Sequence, residues 1–260
     1  DVRLMERSLS KKYDVPDDAV WINYARCHDD IGWGFEQDIL REIGFDPEAH
    51  KQFMIQFMEG KFYGSFSVGE LYEFNPVTLD ARNSGTFASM CGLEQALNEK
   101  HGYKIELALK RILLLNAIII SYTGIPLLYS GDEIGQLNDW SYKNQKDIAG
   151  DSRWLHRGNM DWKAVEKRND ITTIQGKIFK GIQKMIDIRK NCEYFRSDIP
   201  SIPVDLNNKA VFAFHKEDKM IVLANFSEHE QWIDTRRFDW FGLNEKLTDA
   251  VSGREINLGD

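Results

Sequence analysis

A chain of 260 residues with 42% hydrophobic and 12% aromatic content can bury a sizeable core, so one large or two modest domains are expected. A net charge of −8 and a pI near 5.4 argue against nucleic-acid or anionic-membrane partners, which call for clustered Lys and Arg, and favour a neutral substrate. Cys27, Cys91 and Cys192 are odd in number and widely spaced, which argues against a zinc site or a disulfide framework and for a reducing, cytoplasmic setting.

Val2 to Tyr13 alternates apolar and charged residues as a helix does, and Asp14 to Asp18 supplies turn chemistry that ends it. Ala19 to Ala25 reads as a strand that delivers Arg26, Cys27, His28, Asp29 and Asp30 at its C-terminal end. Gly32 to Ser89 alternates helical pieces, Phe35 to Ile43 and Pro47 to Glu59, with glycine-rich and aromatic stretches, and is too structured for a simple connection. It is expected to be an inserted subdomain.

A strong helix is predicted from Leu93 to Tyr122, broken near His101-Gly102 and ended by Gly124. The apolar run Ile105 to Leu128 is interrupted by Glu106, Lys110, Arg111 and Asn116, short of the roughly 18 apolar residues a membrane span needs. Ile125 to Tyr129 is the next strand and ends in Gly131-Asp132-Glu133. The loop from Asn138 to Arg168, with Trp140, Trp154 and Trp162, has the look of a functional loop. Ile174 to Asn191 has the apolar spacing of an amphipathic helix. Beyond Ile199 the period changes: Ala210 to His215 and Met220 to Phe226 are strands joined by a turn at Lys216 to Lys219.

Strand-helix pairs followed by a small antiparallel module give an α/β class. The expected architecture is the C-terminal part of a (β/α)8 TIM barrel over residues 1–195, with an inserted loop subdomain at about 32–90. A C-terminal antiparallel β-sandwich domain over 196–260 follows it. Two strand-helix units cannot close a barrel that needs about eight. Since barrel active sites form where strands end, His28-Asp29-Asp30 and Gly131-Asp132-Glu133 are candidates on one face.

Asn23 to Trp33 (NYARCHDDIGW) resembles the seventh-strand motif of amylosucrases in the α-amylase clan, glycoside hydrolase family thirteen. Phe74-Asn75-Pro76, Asp80 to Thr86, Ile125 to Asp139 and Asp151 to Arg157 resemble amylosucrase stretches in the same order. The resemblance implies a retaining glucosyl transferase or glycosidase that acts on sucrose, releases fructose and passes glucose to an α-glucan or oligosaccharide acceptor, or to water. In it Asp29 matches the transition-state-stabilising carboxylate and His28 its neighbour. An ionised Asp can accept from two sugar hydroxyls and favour positive charge at the anomeric carbon. Asp30 and Arg82 match the acceptor side, and Phe53 matches an aromatic in that region. Arg153 matches an arginine that pairs with an aspartate not present in this chain, so it is expected to stand unpaired and exposed, with Asp151 bracing its loop.

The clan's nucleophile motif, roughly G-F-R-x-D, and a strand-end acid/base Glu are absent from the 260 residues. Glu70, which lies after the seventh-strand motif, is expected to be structural, and Asp132 and Glu133 to be supporting groups. The chain alone is therefore expected to be inactive and to depend on a missing N-terminal part of the same protein. Two other readings stand beside this one: a sucrose hydrolase or α-glucosidase fragment, and a non-catalytic carbohydrate-binding module. No metal or organic cofactor is implied.

Overall fold

The computed structural model describes residues 1–10, 16, 18–243 and 246–258. Of the turn expected at Asp14 to Asp18, residues 14, 15 and 17 lie outside the described residues, and the Ala19 N–H donates to the Pro16 carbonyl at 2.8 Å. The chain divides into two units, one of residues 1–23, 117–126 and 183–260, the other of 24–116 and 127–182.

In chain order the elements are α1 (Arg3–Ser10), β1 (Ile22–Asn23), α2 (Gln37–Glu42), α3 (Pro47–Glu59), β2 (Glu70–Tyr72), β3 (Arg82–Ser84), α4 (Phe87–Met90) and α5 (Leu93–Asn98). There follow α6 (Gly102–Ser121), β4 (Ile125–Pro126), α7 (Trp162–Glu166) and α8 (Ile174–Asn191). The chain ends in β5 (Ile202–Pro203), β6 (Val211–Lys216), β7 (Met220–Asn225), β8 (Lys246–Thr248) and β9 (Glu255–Asn257). This is a mixed helix and strand class. Among the described residues no helix is long and apolar enough to cross a membrane.

In the first unit β1 and β4 pair in parallel, Ile22 opposite Ile125 and Asn23 opposite Pro126. Both are much shorter than the runs Ala19 to Ala25 and Ile125 to Tyr129 that were expected. Each finds a ladder partner for only two residues, and extended backbone without a partner forms no longer strand. Gly124 is required here: its φ is +120°, and a Cβ would lie 2.6 Å from the Trp21 carbonyl oxygen. Strands β5, β6 and β7 form an antiparallel sheet in that order, while β8 pairs antiparallel with β9. The β6–β7 hairpin turns through Glu217 and Asp218, both at positive φ (47° and 50°), the geometry of the mirror-image turn that suits strand twist. Val204, Leu206, Val211, Ala213, Phe238 and Leu243 make the apolar core beneath it.

A buried cation sits in that unit. Lys216 is fully buried; its ammonium donates to the Ile199 carbonyl at 2.9 Å and approaches Thr123 Oγ1 at 3.5 Å. Arg189 donates to the carbonyls of Ile120 and Gly124, at 2.5 and 2.6 Å, and so fastens α8 to the end of α6. Burial, with Arg189 adding to it, brings the Lys216 ammonium down to about 8.

The second unit holds α2 to α5, most of α6, and the long loop. Helix α3 is punctuated in the sequence itself: Asp46 accepts from the Ala49 N–H at 2.8 Å, Pro47 stands first, and Gly60 closes it at φ +86°. Its rings form a ladder in which Phe53 meets His50, Phe57 and Phe62 with centroids 6.0, 5.5 and 4.8 Å apart. β2 and β3 form a hairpin, and the Ile31 backbone bridges to Asn83 beside it. Asn138 ties the long loop down, its carbonyl oxygen accepting from the Thr86 N–H at 2.7 Å and its amide donating to the Val68 carbonyl at 2.9 Å.

Lys216 gives a pH test. The unfolded chain holds this proton up to about 10.4 and the folded one to about 8, so the cost of the buried charge is relieved as pH rises between those values. The stability of the native chain relative to Lys216→Met should therefore increase across that window, by up to roughly 3 kcal/mol. Denaturant melts of both proteins at pH 7 and pH 10 check this, and a difference that does not change with pH would count against it.

Candidate sugar-binding site

The residues that follow β1 bring the chemistry together. Arg26 is 3% exposed and directs Nη1 to the Gly85 carbonyl at 2.7 Å and Nη2 to the Cys27 carbonyl at 2.5 Å, with its guanidinium over the Tyr129 ring. Its Nε has no hydrogen-bond partner, and burial lowers its proton affinity against the opposing pull of Asp132. Burial likewise pushes the Asp132 carboxyl up to about 7, against the field of Arg26. Asp132 is buried, 7% exposed.

Beyond Arg26 the chain opens to solvent. The His28 and Asp29 side chains are 68% and 51% exposed, with Nε2 and Oδ2 3.4 Å apart. Asp29 is not bare: Arg157 donates to Oδ1 at 3.1 Å, and Arg153 lies 3.6 Å from the same oxygen. Arg157 Nε also donates to the His28 carbonyl at 2.6 Å, as does His156 Nε2 at 3.0 Å. Asp30 turns the other way, its side chain mostly covered, and faces Arg82 at 3.4 Å; Glu73 lies at the same distance from Arg82.

Arg153 departs from expectation. It is paired within this chain: Asp151 accepts from Nε at 2.9 Å and from Nη2 at 2.9 Å, and the guanidinium lies 4.6 Å over the Tyr72 ring. Those hydrogen bonds raise the proton affinity of Arg153 and hold the Asp151 carboxyl below its ordinary range. Asp151 also accepts from the Arg153 N–H at 3.0 Å, the brace expected of it. The reason for the difference is local: a bidentate fork needs its carboxylate within reach, and a residue two positions earlier in a tight turn provides one.

An open pocket of about 470 Å³ lies against this pair, lined by Glu70, Tyr72, Glu73, Tyr142, Asp151 and Arg153 among others. Glu70 accepts from the Tyr142 hydroxyl at 2.5 Å and meets Lys143 at 2.8 Å, so its charge is used in holding the loop, as a structural group would be. His28, Asp29, Asp30, Arg82 and Arg153 thus come together. Phe53 lies in the ring ladder of α3, against His50 and Phe62.

His156 and Arg157 are the contributors that sequence reasoning passed over. His156 is 4% exposed; its Nδ1 accepts from the Gly85 N–H at 3.1 Å. Burial, with Arg26 adding to it, pushes the imidazole down to about 4. Both lie in the Asp151 to Arg157 stretch that carries the resemblance, but nothing in that stretch marks the main-chain carbonyl, 128 or 129 positions earlier, that each one holds.

Cys27, His28 and Asp29 place one ligand atom each within 4.8 Å of one another. Two guanidiniums already sit on the Asp29 carboxylate, which favours an ion-paired carboxylate over a cation ligand.

No family model matches the chain. Among solved structures, a variant of the protein AmyP in complex with maltotriose aligns with a TM-score of 0.45 at 15% identity, over 58% of this chain and 31% of that one. Sucrose 6F-phosphate phosphorylase from Thermoanaerobacter thermosaccharolyticum aligns with a TM-score of 0.43 at 15% identity, over 86% of this chain and 45% of that one. The chain therefore spans less than half the length of either protein. Both likenesses are distant, and the functional reading rests on the residues.

The geometry of His156 sets a further expectation. With Nδ1 accepting, the proton must sit on Nε2, and the neutral form should persist down to about pH 4. The unfolded imidazole protonates near 6.5, so stability from this residue is present above that pH and is lost as pH falls toward 4. Nitrogen-15 spectra of the ring across pH 7 to 4 check this; a cationic ring at pH 6 would show that the contacts are not those described.

Proposed function

We propose that this chain is part of a retaining sucrose-acting glucosyl transferase of the amylosucrase kind, within glycoside hydrolase family thirteen. In that reading Asp29 grips the sugar and stabilises positive charge at its anomeric carbon, and His28 donates to a neighbouring hydroxyl. Arg153, Asp30, Arg82 and Phe53 are assigned to substrate binding, the last through the aromatic side of the acceptor region. Residues 1–195 are read as the last part of the barrel, with the insert at about 32–90, and 196–260 as the C-terminal β-sandwich domain.

The observation that carries the proposal is the His28–Asp29 pair: its main chain is held from below by His156 and Arg157 while its side chains face solvent. An exposed carboxylate on a hydrogen-bonded backbone, beside arginines that are themselves paired, suits a polyhydroxyl ligand without net charge. The apolar residues of the parallel pair also support a partial barrel, since Ile22 and Ile125 remain 56% and 49% exposed where a closed barrel would cover them. The neighbouring strands, the nucleophile and the acid/base Glu are assigned to the part of the protein encoded before Asp1.

A protein that includes the region encoded before Asp1 should release fructose from sucrose, and Asp29→Asn should lower kcat by roughly 10²–10³-fold. Full activity in that variant would sink the assignment of Asp29. Accumulation of α-glucan marks transfer, and glucose alone marks a hydrolase. The 260-residue chain by itself should bind sucrose or maltooligosaccharides weakly and cleave neither; tight binding in calorimetric titration would favour a self-sufficient carbohydrate-binding module.

A further inference from the structure

We propose that His156 is a positioning residue of this site: a neutral imidazole that ties the His28 carbonyl to the Gly85 peptide and so fixes where Asp29 presents its carboxylate. The inference rests on the reading that Asp29 faces a sugar.

The geometry leaves the ring one role. Nδ1 accepts from the Gly85 N–H at 3.1 Å and Nε2 donates to the His28 carbonyl at 3.0 Å, in a position 4% exposed. Without the ring the buried Gly85 N–H would lose its acceptor, and the His28 carbonyl would keep Arg157 alone. Arg157, the next residue, takes the same His28 carbonyl at 2.6 Å and the Asp29 carboxylate at 3.1 Å, so adjacent residues hold the peptide and the acid that follows it.

The circuit closes through Arg26, which donates to the Gly85 carbonyl at 2.7 Å and to the Cys27 carbonyl at 2.5 Å. Gly85 is thus held on both its N–H and its C=O, and the chain from Arg26 to Asp29 is fixed at both ends of a ring of hydrogen bonds. Lys or Arg cannot take the place of His156, because neither has an acceptor for the Gly85 N–H. Glutamine can, since its amide offers an acceptor at one atom and a donor at the other.

The test compares the native 260-residue chain with His156→Phe, which keeps the ring and removes both bonds, and His156→Gln, which can restore them. Amide exchange at Gly85, global stability in denaturant and sucrose affinity from NMR shifts are read for each. In His156→Phe the Gly85 amide should exchange roughly tenfold faster or more, beyond any change in global stability, with sucrose affinity falling roughly tenfold. His156→Gln should recover most of both.

Unchanged Gly85 exchange in His156→Phe would overturn the proposal. So would a loss of sucrose affinity that tracks global stability alone and is not recovered by glutamine. If the native chain shows no sucrose binding while the amide pattern is as expected, the sugar reading fails and the role of His156 in holding Asp29 stands.

Discussion

The Gly85 peptide donates its N–H to His156 and accepts from Arg26, at 3.1 and 2.7 Å, and through it three segments far apart in sequence become one framework. Space there is tight: a Cβ would meet Met90 Cε at 3.0 Å and the Val68 carbonyl oxygen at 3.3 Å, so a side chain would require its neighbours to shift. Thr86 continues the junction by donating its N–H to Asn138, and Asn83 supplies the acceptor for Trp33 Nε1 at 2.7 Å. The exposed Asp29 stands on this junction, whose members are nearly all buried polar groups. Buried polar groups that lose a partner are destabilised by its loss, so such networks tolerate little change.

The parts of the fold that were legible in sequence are those written in local signals. Helix α3 announces itself by Asp46, Pro47 and Gly60, and α8 by its apolar spacing, because capping and periodicity act within a few residues. The break at His101-Gly102 and the Gly124 stop were legible for the same reason. The lengths of β1 and β4 were not, since a strand lasts only as long as its partner, and the partner lies about a hundred residues away. The hairpin after β6 was foreseen from its two apolar runs. Its turn type was not, because Glu217 and Asp218 take positive φ without the glycine or asparagine that ordinarily signals it.

The candidate site divides along the same line. His28, Asp29 and Asp30 are adjacent in sequence at a strand end and could be read directly, and Arg82 and Arg153 came with a family resemblance. What completes the site is side chain to main chain: Arg157 and His156 on the His28 carbonyl, Arg26 on Gly85. Main-chain carbonyls are the same in every residue, so nothing in a sequence marks which one a distant donor will find. Arg153 shows a different case: Asp151 was read as a brace of its loop, and the structure shows that it also pairs with the guanidinium from two positions away.

The electrostatics of Asp29 follow from this arrangement. Its Oδ1 faces Arg157 and Arg153, and its Oδ2 faces His28, so much of its charge is compensated before any ligand arrives. On the proposed reading, sugar hydroxyls must share Oδ1 with a guanidinium already there. That exchange is nearly even for a hydrogen bond in an open site, and it leaves binding of the ground state weak. On that reading, a positive charge developing beside the carboxylate changes the balance, because it attracts Asp29 without needing a hydrogen-bond position. The gain is then concentrated in the transition state, which is where a catalyst needs it. Closing the site against water would enlarge both terms, and the half-exposed pair seen here therefore expresses its electrostatics only weakly.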